Sequence, residues 1–201
     1  INALPGAVAQ GLIWGIMAIG VYLTFRILDF ADLTVDGSMC TGGAVCILMM
    51  QAGFGVWPSM LAATGAGMLT GLATGIFHTC MGIPAILAGI LTQLGLYSAN
   101  LKIMGKANQA VNGNKFDLLV SLRNVKNVPF YQNTIFIVAI FIVVLIAILY
   151  WFFGTELGCS LRATGCNPNM SRAQGINTDV CKVLGLMISN GLVALSSALL
   201  A

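Results

Sequence analysis

Three carboxylates stand close together in a chain that has few charged residues. Asp29, Asp32 and Asp36 follow the first apolar run, whereas no Lys, Arg, Asp or Glu occurs in residues 37–101. Charged groups beside apolar spans are costly unless they are solvated or paired. The chain around these carboxylates must therefore meet water, a polar cavity or a neighbouring subunit. From the residues alone, a wall of a solute path and a plain loop with solvated carboxylates are equally good interpretations.

A second polar segment, 154–182, lies between two long apolar runs and carries helix-terminal signals. Asn167 is a good N-cap, and Pro168 suits the first position of a helix. Gly175 falls where a left-handed C-terminal cap would lie, and Arg172 in the last turn favours the helix dipole. The spacing predicts one short helix, about 10 Å long at 1.5 Å per residue. Such a helix cannot span a membrane.

Motifs of the common enzymes are missing from the sequence. It contains no G-x-x-x-x-G-K-[ST] phosphate loop, no H-E-x-x-H and no G-x-S-x-G. The six cysteines include no C-x-x-C pair, so we interpret them as packing residues rather than metal ligands. We therefore expect no enzymatic activity, no catalytic residue and no bound metal or cofactor in this chain.

Composition assigns the chain to a membrane. Hydrophobic residues make up 58% of the 201 residues and charged residues 7%, whereas about a quarter of a soluble domain is charged. The net charge of +3 is small and dispersed, so no nucleic-acid partner is expected. Apolar runs of about 20 residues without strand-like alternation predict helices. The predicted fold is all-α, a polytopic transmembrane helical bundle in one domain, 1–201.

Six membrane-spanning helices are predicted. The second opens with Gly37 and Ser38, so we expect its first part to be irregular. The third carries a ridge of small residues for a neighbouring helix, and the fifth is expected to face lipid more than the third. Because the last apolar run stops at Ala201, we expect a fragment of a longer protein. The predicted spans are about 4–25, 37–53, 57–77, 83–101, 134–153 and 183–201.

Both polar segments resemble those of one known family. Leu161-Arg162-Ala163-Thr164-Gly165, Asn167-Pro168 and Arg172-Ala173-x-Gly175-Ile176-Asn177 together resemble the coupling segment of ABC importer permeases. Asp32-Leu33-Thr34-Val35-Asp36-Gly37-Ser38 looks like the Asp-Leu-Ser/Thr-Val motif of the same family. This family carries branched-chain amino acids and simple sugars such as ribose. The nearest subgroup is the amino-acid-linked one, of tryptophan/tyrosine type.

The resemblance implies a type II ABC importer-like permease with a short cytoplasmic coupling helix. In that family this helix lies in a groove of the ATPase subunit and transmits its closure to the membrane helices. Carried onto this sequence, the ATPase-coupling residues are Gly165, Asn167, Pro168, Arg172, Gly175, Ile176 and Asn177. The resemblance also favours a translocation path, with candidate residues Asp32, Asp36, Ser38, Thr41, Gly42 and Gln93.

Partners and location follow from the same resemblance. They are an ATPase subunit that holds ATP and Mg, an extracytoplasmic binding protein or lipoprotein, and a second permease chain in a homodimer. The expected location is the lipid bilayer of the bacterial cytoplasmic (inner) membrane. The expected solute is small and polar, an amino acid or related compound, with a simple sugar as the alternative. A channel or secondary carrier without an ATPase is the rival of another class.

Charge does not determine the orientation. If 154–182 is cytoplasmic, alternation of six spans puts 102–133 outside. Five of the nine basic residues are then outside, so the positive-inside rule decides nothing. The proposed orientation depends on the resemblance.

Overall fold

A computed structural model describes residues 4–105 and 134–200. Every regular element in these ranges is a helix, which confirms the predicted all-α fold. The connection 102–133, which is predicted to lie outside the membrane, falls mostly outside the described residues. The helices are α1 (Leu4–Tyr22), continued by a π-helical turn (Leu23–Ile27), α2 (Val35–Gln51), α3 (Val56–Thr79), α4 (Ala85–Met104), α5 (Thr134–Gly154), α6 (Glu156–Cys166), α7 (Pro168–Ala173) and α8 (Thr178–Leu200).

Five of the described helices are long and apolar enough to cross a membrane: α1 with its π-helical turn, α3, α4, α5 and α8. Helix α2 has 17 residues, which at 1.5 Å per residue is about 26 Å and near the lower limit for a crossing. Buried residues make up 56% of the crossing segment of α8, 39% of that of α3 and 11% of that of α5. Helix α5 is therefore less buried within the chain than α3, as expected for a span that faces lipid more.

The core forms where α8 packs against α1, α2 and α3. Small residues on α3 let the backbones of α3 and α8 approach each other, which confirms the ridge of small residues predicted for the third span. A Cβ atom on Gly67 would overlap the Asn190 carbonyl oxygen, and one on Gly75 would lie 2.9 Å from the Val183 side chain. Close backbone approach of this kind is the usual way in which helices associate in lipid.

Gly71 provides a test of this packing. A Cβ atom there would lie 2.7 Å from the carbonyl carbon of Leu186 and 2.9 Å from the Cα of Met187. Because these are backbone atoms, the helices must separate, and we expect Gly71→Ala to cost about 1–3 kcal/mol of stability. Gly65 on the same helix has nothing within 4 Å of such an atom, so Gly65→Ala is the matched control. Thermal unfolding in detergent measures both variants, and equal midpoints would contradict close α3–α8 packing.

The predicted irregularity at the start of the second span is wrong. Helix α2 is regular from Val35 onward, because the Ser38 and Thr41 hydroxyls bond carbonyl oxygens one turn back at 2.8 Å without displacing the helical bonds. The irregular backbone lies just before this helix. Asp29 has a positive φ of 51°, and the chain then runs without regular structure to Thr34.

The short helix predicted between the last two spans is present as α7, but the prediction that it is the one helix of this segment is wrong, since α6 lies there too. Helix α6 precedes α7 and begins at an N-cap, where the Thr155 hydroxyl accepts a bond from the N–H of Gly158 at 3.4 Å. Its Leu161 is buried with Leu28 and Leu186 in a core cluster. This long-range burial stabilises a segment whose own composition gives little sign of a helix.

The connections between helices lie at two ends of the bundle. At one end, a buried cluster that includes Met50, Met60 and Ala198 joins the end of α2, the start of α3 and the end of α8. At the other end lie the connection 28–34, the start of α8 and the pair α6–α7. We call this second end the polar end. The two segments singled out in the sequence therefore meet at one end of the molecule.

Candidate functional site

Helix α7 has the caps that the sequence predicts. The Asn167 side-chain oxygen accepts a bond from the N–H of Met170 at 3.1 Å, and Pro168 occupies the first helical position. Gly175 follows the helix with a φ of +83°. The N–H groups of Gly175 and Ile176 donate to the carbonyls of Arg172 and Ser171 at 3.0 and 3.1 Å. These two bonds are a Schellman motif, which fixes where the helix ends.

Arg172 and Asn177 connect the short helix to the start of α8. The Arg172 guanidinium donates to the Thr178 hydroxyl at 2.7 Å and pairs with the Asp179 carboxylate at 3.1 Å. Both side chains of the ion pair are about half exposed, so the pair adds little stability. The Asn177 side-chain oxygen accepts bonds from the N–H groups of Asp179 and Val180 at 3.2 and 3.3 Å, an N-cap of α8. These contacts orient α7 against a helix of the core.

Gly165 joins α6 to the end of the first span. A Cβ atom at this position would overlap the carbonyl oxygen of Ile27 and lie 3.1 Å from the Cα of Leu28. Only glycine lets α6 lie this close to the π-helical turn. Leu161 on the same helix packs with Leu28 and Leu186. Helices α6 and α7 are thus fixed to α1 on one side and to α8 on the other.

A buried hydrogen-bond network begins at Asp32, which is 1% exposed. One carboxylate oxygen accepts from the N–H of Thr34 at 2.8 Å, and the other accepts from the Asn190 amide at 2.7 Å. The same amide donates to the Leu186 carbonyl at 3.0 Å, and the Asn190 amide oxygen contacts the Ser38 hydroxyl. Thr34 and Ser38 belong to the start of α2, whereas Asn190 and Leu186 lie one turn apart on α8. The carboxylate thereby fixes the connection 28–34 to α2 and α8.

Three threonine hydroxyls extend this network to α3 and α4. The hydroxyl of Thr34 lies 2.8 Å from that of Thr74, which donates to the hydroxyl of Thr92 at 3.1 Å. Thr92 in turn donates to the carbonyl of Ala88 at 2.9 Å. All three side chains are buried. Four helices, α2, α3, α4 and α8, are therefore joined through one continuous set of buried polar groups.

The six candidate path residues do not lie together. Asp32 and Ser38 belong to the buried network, Thr41 bonds its own helix, and Gly42 packs against Ala194, 2.7 Å from where its Cβ would lie. Asp36 and Gln93 differ, because both line an open groove of about 420 Å³ between α2 and α4. We call this the α2–α4 groove. The translocation role stays a prediction for all six, and the groove is where two of them are accessible.

Asn190 is the central residue that the sequence reasoning missed. Its signal was a lone amide within the last apolar run, since such a group in a span needs a partner. The partner could not be identified, because Asp32 is 158 positions away. The packing interpretation of the cysteines holds for Cys46 and Cys181, which are buried. The other four are exposed in this chain, and their packing stays a prediction: Cys40, Cys80, Cys159 and Cys166.

Membrane-length helices around a buried polar network define a multi-pass integral membrane protein. The chain belongs to the family of branched-chain amino acid transport system permease components, which matches residues 4–201. The resemblance drawn from the two polar segments is thereby confirmed. Family and helices together place the chain in the cytoplasmic (inner) membrane.

Several relatives align with almost the whole chain. It is 38% identical over 200 residues to the tyrosine transport system permease protein of Clostridioides difficile (strain R20291), covering 100% of this chain and 64% of the relative. It is 30% identical to the galactofuranose transporter permease of Escherichia coli (strain K12), covering 92% and 52%. Identity is also 30% to the autoinducer 2 import system permease of Yersinia pestis (strain Pestoides F), covering 92% and 51%.

The chain thus spans between half and two thirds of the length of these relatives. No solved structure matches it.

Proposed function

We propose that this chain is part of the membrane-spanning permease subunit of an ABC importer that moves an amino acid across the cytoplasmic membrane. The observation that carries the proposal is helix α7, a short, doubly capped helix at the polar end of a family-matched bundle. The amino-acid preference is supported by the 38% identity to the tyrosine transport permease. A simple sugar is the second candidate, supported by the 30% identity to the galactofuranose permease.

Helix α7 is well suited to contact a partner. Met170 on this helix is 61% exposed and lines a small cavity together with Asn167, Gln174 and Ile176. An exposed apolar residue beside a cavity offers a partner a surface to pack against. The caps at Asn167 and Gly175 restrict the helix, so a force applied to α7 reaches α6 and α8. We therefore propose that an ATPase subunit binds here.

The partner set follows from this arrangement. ATP and Mg would bind to the ATPase subunits, since this chain has no phosphate loop. A second permease chain would complete the path, and a binding protein or lipoprotein would deliver the solute at the other end. Closure of the ATPases would displace α6 and α7. The helices joined by the Asp32–Asn190 network would then move together as one body.

Co-purification tests the ATPase contact. The full-length permease is solubilised with its candidate ATPase, as wild type and as Met170→Asp, which places a charge in an apolar contact. We expect the ATPase to be retained by the wild type and largely lost from the variant. Arg172→Glu, which reverses the charge that pairs with Asp179, should weaken retention as well. Phe54→Asp is the matched control, because Phe54 is 52% exposed at the opposite end.

Three outcomes would overturn the proposal. An ATPase that does not bind the wild type would make a channel or secondary carrier the better assignment. Equal retention by Met170→Asp and the wild type would place the contact elsewhere. Loss of binding in Phe54→Asp would show a general folding defect rather than a contact at α7. Uptake of labelled tyrosine and galactofuranose by the assembled transporter then separates the two solute classes.

A further inference from the structure

The α2–α4 groove has polar groups for which the described part of the chain provides no partner. Asp36 in the first turn of α2 is exposed and has no ion pair within the described part of the chain. Asn100 on α4 lines the same groove, and its side-chain oxygen is buried with no hydrogen-bond partner there. A buried polar atom without a partner is rare in native structures. Both free groups are hydrogen-bond acceptors, so a ligand that donates would complement them.

The register of the two helices places Asp36, in the first turn of α2, beside α4. A Cβ atom on Gly37 would lie 3.4 Å from the Cα of Gln93, so the start of α2 lies beside the middle of α4. Asp36 is exposed and lines the groove. Asp32 nearby is already bonded on both oxygens. Asp36 is therefore the carboxylate that a solute in the groove could reach.

The remaining wall is mostly apolar. Ile90, Leu94, Tyr97 and Leu101 repeat at helical spacing along one face of α4 and line the groove. They supply surface for an aliphatic or aromatic group. A polyhydroxylated sugar would leave many hydroxyls unpaired against such a wall, at a cost for each one. The wall favours a solute with a single polar end.

We propose that the α2–α4 groove is a solute-binding site for a compact organic amine with an apolar or aromatic body, the class that includes apolar amino acids. The ammonium group pairs with Asp36, the body packs against Leu94 and Tyr97, and Asn100 accepts a further donor. The groove carries one formal charge, which is negative, and this selects a cationic group. The inference rests on the proposed transport function and specifies the solute class at one site.

A native thiol allows the site to be tested without transport. Cys40 is exposed and lines the groove, and Cys159 is exposed on α6, outside it. The full-length permease is prepared in nanodiscs with either Cys40 or Cys159 as its only cysteine. Labelling by a maleimide is timed with L-tyrosine, tyramine or D-ribose as the probe. No ATP is needed, so a failed ATPase contact would not affect the readout.

L-tyrosine and tyramine are expected to slow the labelling of Cys40, whereas D-ribose does not. Asp36→Asn should raise the concentration that gives half protection by about tenfold, the usual loss for a hydrogen bond to a charged group. Labelling of Cys159 should be unchanged by every probe. Amino-acid uptake alongside an unprotected Cys40 would refute the groove while leaving the transport proposal intact.

Three further results would also overturn the inference. Protection by D-ribose alone would assign the groove to a sugar. Labelling of Cys40 that is slow without any probe would show that lipid or a second chain covers the groove. Protection that is unchanged by Asp36→Asn would remove the carboxylate from the site.

Discussion

The Asn190→Leu variant is expected to lose about 2–3 kcal/mol of folding stability, because it removes a hydrogen bond to a buried charged group. Leucine fills a similar volume, so the loss comes from the polar partner and not from a cavity. It leaves the Asp32 carboxylate buried with the Thr34 N–H as its one remaining donor among the described residues. The amide bond to the Leu186 carbonyl is lost as well. Thermal unfolding in detergent measures the effect.

A double-mutant cycle separates the pair from general damage to α8. Because Asn190→Leu and Asp32→Ala remove the two ends of one interaction, the double variant should lose less stability than the sum of the single losses. Ser196→Ala is the matched control on the same helix, since its hydroxyl makes one bond, to the Ile13 carbonyl at 2.8 Å. That variant should cost less than about 1 kcal/mol. Strictly additive losses for Asp32 and Asn190 would contradict the proposed pair.

Local interactions explain why α7 could be predicted from the sequence. The Asn167 cap and the two bonds at Gly175 and Ile176 span three to five positions, so residue types at fixed spacing specify them. Long apolar runs likewise specify helices wherever a membrane is the solvent. These features were visible without knowledge of the rest of the fold.

Long-range contacts explain the errors. Helix α6 depends on Gly165 lying against Ile27, which is far away in the sequence. Three of the candidate path residues, Asp32, Asp36 and Ser38, come from one short motif that mixes two environments. Asp32 and Ser38 turn inward to Asn190, whereas Asp36, four positions after Asp32, faces the groove. A motif gives the positions of polar residues along the chain. Which of their side chains are accessible depends on the residues that contact them from other helices.

The contacts that join the helices also determine how the bundle would move. The network from Asp32 to Thr92 joins α2, α3, α4 and α8, so relative movement among these helices would break buried hydrogen bonds. Helix α7 is linked to α1 in a different way, because α6 lies between them and joins them by packing rather than by buried hydrogen bonds. Movement at the polar end would therefore act on the joined helices as a unit. Transmission of movement from α7 to α1 would then depend on the close contact of Gly165 with the Ile27 backbone.

Gly165→Ala is expected to reduce ATP-dependent uptake by about tenfold, within the usual range of coupling between distant sites. The added methyl group would overlap the Ile27 carbonyl oxygen and approach Leu28, so α6 must shift away from the first span. That shift separates Leu161 from the cluster it forms with Leu28 and Leu186. Movement of α7 would then be absorbed by α6 before it reaches the core.

Uptake and ATP hydrolysis are measured in the same proteoliposomes, which contain the full transporter. We expect hydrolysis to continue in Gly165→Ala while uptake falls, since the contact surface of α7 is intact. Gly154→Ala is the matched control, because nothing lies within 4 Å of a Cβ atom there. It should leave both rates near those of the wild type. Full uptake in Gly165→Ala would mean that α6 transmits nothing, and the path of coupling would then run through Arg172 and α8 alone.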